Sequence, residues 1–133
     1  MSGKAKQLNQ KGFSLLELMI VMFIMIILIS VALPAYQGTI RHANEVVLKD
    51  NLFQMRKLID QYTADKGKLP ASLQDLQKDK YLRDIPVDPI THEAKWNEIT
   101  GEDPNNTEGG QGLTDVKSLA EGEDSDGKQF SEY

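Results

Sequence analysis

Two sets of ionisable residues stand where their chemistry matters. The first is Glu17, a single carboxylate in KGFSLLELMIVMFIMIILISVALP, residues 11–34. A charge facing lipid costs on the order of a few kcal/mol unless an opposite charge meets it. The second set lies in DVKSLAEGEDSDGKQFSEY, residues 115–133, where Asp115, Glu121, Glu123, Asp124 and Asp126 crowd together. Such oxygen donors suit calcium, which takes about six to eight hard oxygen ligands, but composition alone favours a solvated acidic tail. An EF-hand register fails, because aligning Gly127 with the loop glycine puts Gly122 at the first ligand position and Tyr133 at the last. His42 and His92 are 50 residues apart and have no evident partner. There is no cysteine, so disulfides, thiolate metal sites and cysteine nucleophiles are excluded. No phosphate loop, Ser/His pair or isolated carboxylate dyad stands out, and no catalysis is expected.

The elements that must position these residues begin with the apolar run. From Phe13 to Leu33 only Ser14, Glu17 and Ser30 are not strongly apolar. Such a run spans roughly 30 Å as a helix, about one bilayer core. Lys4, Lys6 and Lys11 are the only charges before Phe13, whereas 12 basic and 20 acidic residues follow it. Basic residues stay on the cytoplasmic side of a membrane segment, so the N-terminus is expected inside and the acidic body outside. The acidic body argues against direct nucleic-acid binding. A secretory signal peptide, with Ser30-Val31-Ala32 as a cleavage site, is one reading of the run, and a plain anchor with Glu17 snorkelling to the interface is another. Its length and the early Glu17 speak against the first.

Residues 1–12 are polar and basic and read as a disordered leader. Pro34 should kink or locally break a helix. Beyond it, Leu48, Leu52, Met55, Ile59 and Tyr62 recur every three or four residues, with Glu45, Lys49, Asp50, Arg56, Lys57 and Asp60 on other faces. This is a one-sided helical stripe. The helix is expected to run from Phe13 to about Asp65, with Gly67 as its stop. Tyr36, Phe53 and Tyr62 read as packing residues. Ser72 is placed to cap a short second helix ending near Lys80, with Asp75 three residues on. Ala94–Thr100 and Leu113–Leu119 read as strands, and GEDPNNTEGGQG, residues 101–112, as the loop between them.

The stretch KGFSLLELMIV resembles the prepilin motif of type IV pilins and type II secretion pseudopilins. That motif has a basic leader ending in glycine, an aromatic first mature residue and a glutamate five positions into the mature chain; here these are Gly12, Phe13 and Glu17. Pro34 sits where that family often has a membrane-segment proline. The resemblance implies cleavage by a prepilin peptidase between Gly12 and Phe13, N-methylation of Phe13, and pairing of Glu17 with the new amine of a neighbouring copy. An opposite charge at about 4 Å returns roughly 4 kcal/mol at an effective dielectric near 20, enough to offset burial of the carboxylate.

YTADKGKLPASLQDL followed by YLRDIPVDPIT is similar to the major, G-type pseudopilin of type II secretion. Tyr62, Pro70, Pro86, Asp88 and Pro89 stand where that family ends its long helix, opens a short helix and enters its sheet. The resemblance implies an α+β, type IV pilin-like fold. Its parts would be a leader (1–12), a transmembrane half of the long helix (13–35), an amphipathic half (36–66) and a small head with a short antiparallel sheet (67–133). It also implies calcium in the C-terminal loop, with Asp124 and Asp126 as side-chain ligands and Ser118 and the Leu119 carbonyl beside them. Asp115, Glu121 and Glu123 are alternatives. The implied partners are further copies in a helical filament, the prepilin peptidase, an inner-membrane platform with its ATPase, minor pseudopilins, and lipid before assembly. The subunit would sit in the bacterial inner membrane as a single pass with its head and filament in the periplasm. A type IV pilin of a surface fibre for adhesion, motility or DNA uptake is the second reading, and a membrane-tethered periplasmic domain the third.

Overall fold

The computed structural model describes Gly3 and residues 12–133; the expected leader lies almost wholly outside them. The elements in chain order are α1 (Leu15–Lys66), α2 (Leu73–Lys78), β1 (Asn97–Glu102), β2 (Gln111–Lys117) and a short 3-10 turn (Phe130–Glu132). The fold is α+β and pilin-like, as the resemblance implies. The chain forms two compact units, one up to Gly38 and one from Thr39 to Tyr133.

In the first unit α1 starts at Leu15, two residues later than expected, because Ser14 caps it. The Glu17 N–H donates to Ser14 Oγ at 3.1 Å, and the Leu18 N–H donates to the Ser14 carbonyl. The apolar side chains are exposed throughout, from Phe13 at 84% to Leu33 at 53%. Here α1 is long and apolar enough to cross a membrane. Ser30 satisfies its own hydroxyl by donating to the Ile27 carbonyl, 2.6 Å away, the local solution a polar side chain needs in lipid. Pro34 lies inside the helix and does not end it. It removes one N–H donor, but the turns on either side keep their own bonds.

In the second unit the predicted stripe is the buried face. Leu48, Leu52, Met55, Ile59 and Tyr62 are each at most 5% exposed. Tyr36 and Phe53, expected to pack, are instead 63% and 62% exposed. The stripe packs in one cluster with Leu73 and Leu76 of α2, Leu113 and Val116 of β2, Trp96, Phe130 and Tyr133. Gly67 closes α1 with φ +72°, a left-handed conformation that glycine adopts without strain.

α2 is a six-residue helix that ends at Lys78, earlier than Lys80. Ser72 makes no side-chain cap bond. The Leu73 N–H donates instead to Glu98 Oε1 of β1, at 2.6 Å, and Asp75 accepts from the Ala71 N–H. A strand carboxylate thus does the capping. Pro70 ties this segment to the sheet, its carbonyl accepting from the Leu113 N–H at 2.7 Å. Gly112 is required there, because a Cβ would lie 2.5 Å from the Leu69 Cβ.

β1 and β2 pair antiparallel from Asn97 with Lys117 to Glu102 with Gln111, with one register shift between Ile99 and Thr100. Both strands are displaced from expectation, and the ends of the anticipated loop are paired strand. Only the segment between them turns. Buried Asp103 organises it, accepting from the Asn105 N–H and from Leu69 N–H, at 2.9 Å each.

Candidate functional site

Two places carry the residues singled out from the sequence. At the start of α1, Gly12 and Phe13 precede the Ser14 cap and are exposed. Ser14 and Glu17 have the S-x-x-E spacing of a capping box, a start signal that is present in the sequence itself. Glu17 sits in the first turn, where the positive end of the helix dipole favours a carboxylate. Its backbone is satisfied by Ser14, but its carboxylate makes no ion pair or hydrogen bond among the described residues. The structure therefore holds an exposed carboxylate within an exposed apolar helix.

The second place is the acidic C-terminal loop, and here the structure redistributes the expected ligands. Ser118 is buried, and its hydroxyl is used twice: it donates to Asp88 Oδ2 at 2.5 Å and accepts from the Ala120 N–H at 3.0 Å. Asp88 is fully buried, and its other oxygen accepts from the Ile90 N–H at 2.8 Å. The aspartate of the Pro-x-Asp-Pro segment is thus a clamp between that turn and the end of β2. Asp115 pairs with Arg56 Nε at 2.7 Å, and Glu123 accepts from the Gln129 side chain.

Asp124 is buried, and both of its oxygens are engaged. Oδ1 accepts from the Asp126 and Lys128 N–H groups at 2.9 and 2.8 Å. Oδ2 accepts from the Tyr133 hydroxyl at 2.5 Å. The hydrogen bond from Tyr133, with those from the backbone, holds the Asp124 carboxyl below its usual value, against the opposing effect of burial. Burial and the same aspartate push the Tyr133 phenol well above the usual 10.0. Asp126 and Leu119 are exposed. The donor chemistry suits calcium, but Ser118 and Asp124 are already satisfied by protein donors. No group of three or more His, Cys, Asp or Glu among the described residues is arranged to hold a metal. The residues as placed do not fit the calcium site that the resemblance implied.

Sequence reasoning missed a polar row on α1 that meets this loop. Arg41 Nη2 donates to the Glu123 carbonyl at 2.8 Å. Buried Glu45 accepts from both the N–H and the hydroxyl of Ser125, at 2.9 Å each. The Lys49 ammonium lies 5.0 Å from the centre of the Tyr133 ring, and Arg56 donates to the Tyr133 carbonyl at 2.8 Å. His42, read as partnerless, stands 3.8 Å from Glu45. Helical spacing could have shown that Arg41, Glu45 and Lys49 share a face; nothing local says that this face meets a loop some 80 residues later.

The N-terminal region, residues 7–33, matches the family model described as a prokaryotic N-terminal methylation motif. The chain is 30% identical over 97 residues to the type II secretion system core protein G of Klebsiella michiganensis, covering 61% of this chain and 68% of that protein. The chain belongs to the core protein G, or major pseudopilin, family of type II secretion. The Pseudomonas aeruginosa core protein G is 29% identical over the same length, again covering 61% and 68% of the two chains. A fimbrial protein, EcpC of Eikenella corrodens, is 40% identical over 62 residues, covering 47% of this chain and 40% of its own. No solved structure matches significantly. For a pseudopilin, the N-terminal constellation and the apolar helix fit a membrane-anchored structural subunit.

Proposed function

We propose that this pseudopilin is the building block of a helical filament that drives protein export. A prepilin peptidase cuts between Gly12 and Phe13, and Phe13 is N-methylated. The new amine of one copy then meets Glu17 of the next. The observation that carries this reading is the Glu17 carboxylate, exposed in an apolar helix and without a partner among the described residues. A lone carboxylate is unfavourable in lipid, so pairing makes assembly preferable to dispersal. The basic leader favours a cytoplasmic N-terminus, which places the head and filament in the periplasm. The inner-membrane platform, its ATPase and minor pseudopilins would then be the assembly partners. The subunit is structural and carries no reaction of its own. The likeness to a fimbrial protein favours the second reading, a type IV pilin of a surface fibre.

Intact mass and fibre shearing test this. Overproduced in a host with a type II apparatus, the chain should appear in sheared fibres as a methylated subunit beginning at Phe13. Its fibres should depend on the type II platform. A fibre subunit that keeps the leader would overturn the processing, and dependence on a pilus platform instead would favour the surface fibre.

A further inference from the structure

The C-terminal loop is closed on itself and fastened to α1 by hydrogen bonds between protein groups. Within the loop, Asp124 gathers the Asp126 and Lys128 N–H groups and the Tyr133 hydroxyl. A cation reaching Oδ2 must compete with that hydroxyl, and Oδ1 already accepts two donors. The Lys128 ammonium also lies 5.4 Å from the centre of the Tyr133 ring, and the Phe130 ring packs edge-on against it at 5.5 Å. From α1, Arg41, Glu45, Lys49 and Arg56 each hold a point between Glu123 and Tyr133. Two of them bring positive charge to the Tyr133 end, where a divalent cation would be repelled. Ser118, also expected beside the metal, is committed to Asp88, which leaves exposed Asp126 as the expected side-chain ligand that these contacts do not bury.

We propose that this chain locks its C-terminal loop with a metal-independent clasp, in which the Tyr133 hydroxyl takes the Asp124 oxygen that a calcium ion would need. The loop is then held in place at any calcium level, and the head is competent for assembly without the metal. This differs from what the resemblance alone implied, and it stands whether or not the filament reading holds, because it concerns the unassembled subunit.

The test uses the full chain in detergent, melted in millimolar calcium and in excess chelator. The wild-type curves should coincide, and titration calorimetry with calcium chloride alone should show no saturable uptake. Tyr133→Phe keeps the ring and removes the hydroxyl; it should lower Tm by about 4–8 °C in both conditions. It should also speed proteolysis between residues 121 and 129. Glu45→Gln provides a second readout of the same loop, with faster cleavage and the core intact. A wild-type Tm that falls with chelator and returns with calcium would overturn the proposal, as would a Tyr133→Phe chain that melts like wild type.

Discussion

At the scale of single residues, the polar chemistry of the head consists of buried acids satisfied by designated donors. Glu45, Asp88, Asp103 and Asp124 are all buried, and each accepts hydrogen bonds from backbone N–H groups. A buried carboxylate left without such donors is costly, so these acids act as fasteners between segments. Two phenols extend the pattern. Tyr81 donates to Asp65 at 2.8 Å, and that bond, with burial and nearby acids, raises its pKa above the usual 10.0. The Tyr133 pKa is raised further, by burial first and then by Asp124. A phenol whose folded pKa lies above its unfolded value favours the fold while it stays neutral. That contribution is complete below the unfolded value and is lost as pH rises through the folded one. Thermal melts of the full chain should therefore be flat through neutral pH and fall above about pH 10. Tyr133→Phe should fall less steeply over that window; equal slopes would contradict the assignment.

At the scale of elements, α1 serves two environments with one backbone. Up to Gly38 its side chains are exposed and apolar, and from Thr39 one stripe is buried while another binds the C-terminal loop. Neighbouring residues show the contrast: Leu52 is 1% exposed and Phe53 is 62% exposed. Leu52→Ala should cost about 2–5 kcal/mol of head stability, and Phe53→Ala should stay within about 0.5 kcal/mol in the unassembled chain. Denaturant unfolding in detergent distinguishes them, and equal losses would contradict the assigned faces. The buried stripe was legible in the sequence because helical periodicity is local. The strand limits were not, because Gly101, Glu102, Gln111 and Gly112 are poor strand formers that pair only through their cross-strand partners. The α2 cap was misassigned for a similar reason: Glu98 is 25 residues away in sequence, and a local rule points to Ser72. Ser14, by contrast, was readable from its spacing to Glu17.

At the scale of the whole molecule, the chain divides its tasks between an N-terminal helix suited to lipid or to like helices and a head closed by its own hydrogen bonds. The N-terminal methylation motif, matched over residues 7–33, was legible because it is short and contiguous. The clasp was not, since it joins residues 41–56 to residues 123–133. The central claim is that Glu17 serves assembly and not folding or processing. Its carboxylate makes no ion pair or hydrogen bond among the described residues, so its loss should leave the head intact. The most direct measurement is the fibre yield of Glu17→Ala, read beside the mass of the same membrane subunit. The account predicts a subunit cleaved after Gly12 and a sharply reduced yield of fibres. Wild-type fibre yield from a correctly cleaved Glu17→Ala chain would contradict it.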